Sequence, residues 1–221
     1  MTSAITLKTV LITTAIFLTA CASGPKSPDW QLTSKGAMER AVAAYLEGNS
    51  RVETAELARA RFEISSTGRV DLMARVELLS CASRVASLVF EPCAGFEKLR
   101  QDALPAERAY ADYLAGKLPP QDIHLLSKEQ QIIAVASVSR EQPAIEKIAD
   151  PLARLVAAGA AFQAGLASPV LVQAAVDTAS SQGWRRPLLA WLGVQLKLAD
   201  ASGNQLESER VQRRIALTLK P

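Results

Sequence analysis

Residues 39–49 read ERAVAAYLEGN and residues 107–117 read ERAYADYLAGK, so one pattern of eleven residues occurs twice in this chain of 221 residues. The copies agree at seven positions, which include a tyrosine (Tyr45, Tyr113) and a glycine (Gly48, Gly116). Apolar residues recur in them at intervals of three and four, the period of an amphipathic helix. Because glycine is favoured just past a helix, the pattern predicts two similar helices that each end at glycine.

The segments that follow the first copy also predict helices. Ser50 and Glu53 have the spacing of a capping box, and Gly68 is placed to end the helix that they begin. Asp71 is a candidate cap for a third helix, which must end before Pro92. The sequence has no Asn-Gly or Asp-Gly hairpin signal and no long apolar–polar alternation. These segments therefore favour an all-α fold.

The second half of the chain has helix signals of its own. Ser127 is a candidate cap for a helix through residues 132–136 (IIAVA), which we expect to be buried. Prolines then recur every 18 residues, and two of them follow a capping residue, as suits the first turn of a helix. These residues are Pro151 after Asp150, Pro169 after Ser168, and Pro187. The next helix is expected to start at Gln205, so hairpins of about 36 residues follow, the scale of helical solenoids.

Part of this half resembles tetratricopeptide repeats. Leu189, Leu192, Gly193 and Leu196 stand at the spacing of the first helix of that family, whose helical pairs have about 34 residues. The offset of 68 between the two copies of the pattern is twice that length. Gln205 and Glu209 depart from the second-helix pattern. We therefore expect an irregular, tetratricopeptide-like array of helical hairpins, with a compact helical bundle as the alternative.

Composition limits the classes of function. The chain is 49% hydrophobic, 21% charged and 5% aromatic, as is ordinary for a helical globular domain. It has 25 basic and 22 acidic residues, a formal charge of +3. Removal of a leader that contains Lys8 leaves 24 basic residues and a charge of +2. No nucleic-acid partner is expected from so small a charge, which is interleaved along the chain.

The N-terminus resembles that of bacterial lipoproteins. Lys8 precedes an apolar run of about ten residues, too short to cross a bilayer but typical of a secretory signal. The run ends at Leu18-Thr19-Ala20-Cys21, which is similar to the lipobox of that family. The resemblance implies cleavage after Ala20, lipidation of Cys21 and a permanent membrane anchor. The alternatives are an ordinary signal peptide that ends near a cysteine, or a buried first helix.

The same resemblance suggests a domain division and a location. Residues 1–20 form the signal peptide, residues 21–33 the lipidated cysteine and a flexible tether, and residues 34–221 the helical domain. Ala22, rather than aspartate, follows the lipidated cysteine, which in lipoprotein sorting implies the outer membrane, facing the periplasm. Cys81 and Cys93 remain as a pair in a compartment where disulfides persist. A bond between them requires the chain to turn back before Cys93, and two buried free thiols are the alternative.

Residues with catalytic or ligand-binding chemistry are sparse. His124 is the single histidine, so no histidine-based metal site is expected, and we interpret it as a surface or capping residue. The sequence contains no nucleophile elbow or glycine-rich nucleotide loop, so we expect no cofactor and no catalytic residue. Trp184 and Trp191 are interpreted as core packing rather than a partner anchor, as are Tyr45 and Tyr113. Trp30 is expected either on the domain or at the lipid surface.

Three functional hypotheses follow from these features. The leading one is a non-enzymatic, periplasm-facing lipoprotein that binds another envelope protein, as a scaffold or assembly factor. The alternative is an envelope enzyme or ligand binder that acts on peptidoglycan or a small molecule, which requires acidic residues to converge in a cleft. The third is a spacer lipoprotein without a specific partner.

Overall fold

The structure, a computed structural model, describes residues 28–142 and 144–220. Every regular element within these ranges is helical, so the predicted all-α class is confirmed. In chain order the α-helices are α1 (Asp29–Glu47), α2 (Ser50–Ser65), α3 (Val70–Ala86), α4 (Ala94–Glu97), α5 (Pro105–Leu114), α6 (Lys128–Ser139), α7 (Pro151–Gln163), α8 (Pro169–Ser181), α9 (Arg185–Ala201) and α10 (Gln205–Leu219). None of the helices described here has the length and apolar character needed to cross a bilayer.

Several helix ends lie where the sequence predicts them. Ser127, Asp150 and Ser168 each cap a helix, because their side chains accept a backbone N–H three residues later. Gly48 and Gly116 both have positive φ, 93° and 66°, a conformation that costs glycine little. In each case the glycine N–H donates to the carbonyl of the tyrosine that both copies share, at 3.0 and 3.1 Å. The two copies therefore end in the same way.

Other predicted boundaries are wrong. Asn49, not Ser50, caps α2, since its Oδ1 accepts the N–H of Val52 at 3.2 Å. Helix α3 begins at Val70, so Asp71 lies inside its first turn, where its carboxylate is bound by Arg69. An aspartate is stabilising both as the cap and within the first turn of a helix, and asparagine and serine are both good caps, so the local sequence does not decide between neighbouring positions.

Two further helices begin earlier in the chain than expected. Helix α1 begins at Asp29, whereas the domain was expected to begin at residue 34. Trp30 is half-buried and packs on the domain, which extends the ordered structure toward the N-terminus. Helix α9 begins at Arg185, two residues before Pro187, because a proline is tolerated anywhere in the first turn, where its missing N–H has no helical acceptor.

The helices pack partly in succession and partly across the chain. Helices α7 to α10 each pack on the next helix in the chain, and α1 packs on α2 in the same way. In addition α3 packs on α7, and α1 on α9. These contacts between distant segments give the array one main core, shared by the helices from α3 onward. The fold thus has consecutive helical hairpins, as in an array, together with contacts between distant helices, as in a compact bundle.

A close approach fixes the centre of this core. Gly159 of α7 lies against Val85 of α3, so that a Cβ on Gly159 would overlap the Val85 carbonyl oxygen and lie 2.9 Å from its Cγ1. Beside it, the buried Trp191 donates its indole N–H to the carbonyl of Ala86 at 3.1 Å. The C-terminal end of α3 is therefore held by both α7 and α9.

A smaller core joins α1 and α2 to α3. Arg84 of α3 donates to Glu53 of α2 at 2.9 Å, and its guanidinium lies 4.9 Å from the ring centroid of Tyr45. Arg186 of α9 lies over the same ring at 4.1 Å. Cations at such distances are attracted to the electron-rich ring face. Tyr45, from the first copy of the pattern, therefore ties the N-terminal hairpin to α3 and α9.

Candidate functional site

Two depressions meet at the C-terminal end of α5, on the second copy of the repeated pattern. The larger, which we call the charged cleft, has a volume of about 660 Å³ and is bordered by α3, α4 and α5. The smaller, the apolar pocket, has a volume of about 140 Å³ and lies among α5, α6 and α7. Gln163 of α7 fixes the segment between them, because its amide N–H donates to the carbonyl of Leu114 at 2.9 Å.

A disulfide forms part of the wall of the charged cleft. Helix α3 ends at Ala86 and Leu88 adopts a positive φ of 58°, so the chain turns back on α3 as a bond requires. Cys81 and Cys93 are joined, with their Cα atoms 5.8 Å apart. Of the two expectations for these cysteines, the disulfide is the one found, and it holds α4 against α3.

Paired charges line the same cleft. Arg61 donates from Nε and Nη2 to the two oxygens of Glu77, at 2.6 and 2.9 Å. Arg100 donates from Nε to Glu97 at 2.7 Å and contacts Asp112 through Nη2 at 3.0 Å. These guanidinium–carboxylate bonds are geometrically specific. The carboxylates are therefore fixed by arginine rather than free to approach one another.

The pKa shifts agree with this arrangement. The Arg100 hydrogen bond lowers the pKa of Glu97, and the Glu77 carboxylate raises the pKa of Arg61. A general acid needs the opposite, a carboxyl group whose pKa is raised toward neutrality by burial or a like charge. The guanidinium of Arg100 contacts both Glu97 and Asp112, so it bridges these two carboxylates. This geometry suits a rigid ion-pair network better than acid–base chemistry.

Gly95 is a cleft residue that the sequence analysis missed. A Cβ at this position would overlap the carboxylate of Glu77, so any larger residue there requires this carboxylate to move. Glu77 is itself nearly buried, at 9% exposure. The only indication of this contact in the sequence is a glycine two residues after Cys93. A glycine alone does not show which residue packs against it.

One of the residues that line the apolar pocket carries a buried polar group. Its wall is formed mainly by apolar and small residues: Tyr113, Gly116, Leu118, Ile123, Ala134, Ser137, Val138, Ala160 and Ala164. Tyr113 is 4% exposed, and its hydroxyl has no hydrogen-bond partner among the described residues. Burial raises the pKa of this phenol, so the group keeps its proton as a donor. Buried hydroxyls without a partner are rare because each carries a desolvation cost of about 1–3 kcal/mol.

An exposed apolar surface borders the pocket. Ile132, Val135 and Val138 of α6 are spaced three residues apart and are 38%, 53% and 60% exposed; we call these three the α6 surface. Val138 also lines the pocket. The expectation that residues 132–136 are buried is therefore wrong in part, since only Ile133, Ala134 and Ala136 of that stretch are buried. The sequence predicted this helix correctly but not which of its faces is exposed.

The other residues that the sequence pointed to lie outside the two depressions or outside the described part of the chain. Trp191 is fully buried and Trp184 half-buried against the main core, which agrees with their interpretation as packing residues. His124 is exposed in a 3₁₀ turn, with its Nδ1 2.7 Å from the carbonyl oxygen of Gln121. It does not lie with the residues that line either depression. Cys21, with the whole lipobox, lies outside the described residues.

Neither metal-site geometry nor similarity assigns a function. Among residues 28–142 and 144–220, no group of three or more His, Cys, Asp or Glu side chains is arranged to hold a metal ion. No protein-family model, curated protein or solved structure matches this chain. The features that bear on function are therefore the lipobox and the two depressions beside α5.

Proposed function

We propose that this chain is a bacterial lipoprotein, anchored through Cys21 on the periplasmic face of the outer membrane, that binds another envelope protein through the α6 surface. The proposed role is that of a scaffold or assembly factor, without catalysis. The lipobox supports the anchor. The observation that carries the binding role is the row of exposed apolar side chains on α6 beside an apolar pocket.

The α6 surface is a better docking site than the charged cleft. Exposed apolar side chains that form a continuous surface are typical of protein interaction sites, whereas single ones are ordinary on any protein. On α6 the three side chains recur at positions that one partner helix could contact along its length. In the charged cleft the arginines already hold carboxylates of the same chain, so a partner would gain little from replacing them.

Site-specific photocrosslinking tests the binding surface. A photoreactive residue replaces Val135, which is 53% exposed, in the native envelope; a matched control places it at Leu217 of α10, which is 70% exposed. We expect a discrete crosslinked protein from position 135 and none from position 217. Equal crosslinking from both positions, or none from position 135, contradicts the proposed surface.

Palmitate labelling tests the anchor separately. The wild-type chain is expected to incorporate label and to sediment with membranes, and Cys21→Ala to lose both properties. The physical reason is that several acyl chains hold a protein on a bilayer almost permanently, at about 0.8 kcal/mol per buried methylene. A wild-type chain that takes up no label contradicts the anchor, whatever the crosslinking shows.

A second candidate function is ligand binding in the charged cleft. Its volume of about 660 Å³ is within the range of small-molecule sites, and Phe90, 40% exposed, lines it. An aromatic ring beside fixed charged groups suits a sugar or a peptide fragment, such as those of peptidoglycan. Thermal-shift measurements with soluble peptidoglycan fragments test this role, with Phe90→Ala as the variant expected to lose the shift.

A further inference from the structure

The hairpin of α1 and α2 has an open end, opposite the turn at Gly48. Arg40 and Glu56 are each eight residues from Gly48, and they form two hydrogen bonds of 2.9 Å. The two helices therefore run side by side in opposite directions. The first residues of α1 lie beside the last residues of α2 and the turn that follows; we call residues 29–32 and 62–69 the open end.

Two large apolar side chains of the open end are exposed to solvent. Phe62 is 74% exposed and Leu32 is 57% exposed. Leu32 lies nine residues before the buried Ala41, and Phe62 lies nine residues after the buried Glu53. Because nine residues make two and a half helical turns, each apolar side chain points away from the core that the two helices share.

Many polar groups of the open end are bonded within the chain. The hydroxyls of residues 65–67 donate to the carbonyls of residues 62–64, at 2.7, 2.8 and 2.7 Å. Those carbonyls belong to the last turn of α2, where helical N–H partners are missing. Arg69 and Asp71 pair through two bonds of 2.8 and 2.6 Å. Such groups lose less on partial dehydration than groups that depend on water, so this end suits surroundings of lower polarity.

The proposed anchor is attached at the same end. Seven residues, 22–28, separate Cys21 from Asp29, the first residue of α1. A chain advances at most about 3.6 Å per residue, so the Cα atoms of Asp29 and Cys21 are at most about 29 Å apart. Helix α1, with 19 residues, is itself about 28 Å long. A lipidated Cys21 therefore holds the domain at the bilayer by its open end.

We propose that the open end rests in the surface of the bilayer, with Phe62 and Leu32 among the lipid head groups and the upper acyl chains. The inference rests on the proposed function in one respect, the lipidation of Cys21. Phe62 and Leu32 each lie three residues from the end of their helix, or about 5 Å along its axis. Interfacial helices sink about 5–10 Å into this region, so a shallow contact is enough to reach both side chains.

The arrangement favours a lipid surface over a partner helix. Phe62 and Leu32 point away from the shared core on different helices, so one partner helix cannot lie along both. A planar surface that meets the open end contacts the two side chains together. The anchor also makes this contact intramolecular, and a high effective concentration makes two apolar contacts sufficient.

A photoactivatable lipid tests the contact on the unaltered protein. Acylated full-length protein is reconstituted in vesicles of phosphatidylethanolamine and phosphatidylglycerol that contain a phospholipid with a diazirine in its acyl chain. After irradiation and trypsin digestion, mass spectrometry locates the lipid adducts. We expect adducts on residues 62–69, which are distant from the anchor in sequence. Absence of adducts on these residues overturns the proposal.

Residues 215–221 provide a matched control within the same experiment. They contain Leu217, which is 70% exposed, and they lie near the turn end of the hairpin. Arg185 donates to the carbonyl of Lys220 at 2.9 Å, and its Cδ lies 4.0 Å from the position of a Cβ on Gly48. We expect no adducts above background on residues 215–221. Labelling there that equals the labelling of residues 62–69 overturns the proposal.

Two serine variants separate a specific contact from general proximity to lipid. Phe62→Ser is expected to lower the labelling of residues 27–35, which contain Leu32 and are unchanged in this variant, by about threefold to tenfold, because one of the two apolar contacts is lost. Leu217→Ser is expected to leave that labelling unchanged. Circular dichroism should show wild-type helix content in both variants, since both side chains are exposed. Labelling in Phe62→Ser that equals wild type overturns the proposal.

Failure of this proposal is distinguishable from failure of the proposed function. Palmitate uptake without adducts on residues 62–69 rejects only the contact of the open end, and absence of palmitate uptake rejects the anchor and this contact with it. Crosslinking at position 135 tests the α6 surface independently. Crosslinks between two copies of the chain through residues 62–69, in place of lipid adducts, assign the open end to a dimer and overturn the proposal.

Discussion

Gly159→Ala is predicted to destabilise the protein although alanine is the better helix former. Gly159 lies inside α7, where replacement by alanine normally gains about 1 kcal/mol. Here the new Cβ would lie 2.9 Å from Val85 Cγ1 and 3.0 Å from the Val85 carbonyl carbon, and would overlap the carbonyl oxygen. Ordinary contact begins at 3.4 Å, so α7 must move away from α3 by about one ångström to clear the carbonyl oxygen.

The magnitude follows from two opposing terms. Overpacking of a well-packed core costs about 1–3 kcal/mol, and the cost here lies in the upper part of that range, about 2–3 kcal/mol, because the overlap involves backbone atoms, which cannot rotate aside. Subtraction of the helix-propensity gain leaves a net loss of about 1–2 kcal/mol in the free energy of unfolding. For a domain of this size that loss lowers the melting temperature by about 2–8 °C.

Gly193→Ala is the matched control for this experiment. Gly193 also lies inside a helix, α9, but a Cβ there would have no atom within 4 Å. The same chemical change should therefore raise stability by about 1 kcal/mol. Urea unfolding of both variants, followed by circular dichroism, measures the difference. If Gly159→Ala is as stable as Gly193→Ala, the close contact of α3 and α7 is refuted.

Three further predictions concern the charged cleft. Reduction of the Cys81–Cys93 bond, whose residues are 12 apart in sequence, should lower the free energy of unfolding by about 2–3 kcal/mol, and urea unfolding with and without reductant measures it; an unchanged midpoint contradicts a structural bond. Gly95→Ala should displace the Glu77 carboxylate from Arg61, and a crystal structure of the variant in which this ion pair is intact would refute the steric argument. Because Arg100 lowers the pKa of Glu97, the stabilisation from this carboxylate should be fully present at neutral pH and begin to be lost as the pH falls below the ordinary value of 4.5; the difference in urea midpoint between Glu97→Gln and wild type should thus be largest at neutral pH and shrink progressively below that value, and a constant difference contradicts the ion pair.

Local sequence was enough to predict where most helices lie and where many of them begin or end. Caps such as Asp150 and Ser168, and glycines such as Gly48 and Gly116, act through hydrogen bonds and backbone conformations within a few residues. The Cys81–Cys93 disulfide was one of two expectations, because it depended on a local turn before Pro92. The lipobox is equally local, and it remains the basis of the proposed anchor.

The packing of distant helices sets which helix faces are covered and which charges meet, and neither could be predicted from the sequence. Gly159 and Gly193 are both glycines inside helices, yet one touches a neighbouring backbone and the other faces open space. The apolar residues of α6 have the periodicity of a buried helix, but no described element covers Val135 and Val138. The physical reason is that periodicity defines a face of a helix, whereas burial depends on helices distant in the chain, whose packing also creates the apolar pocket beside Tyr113.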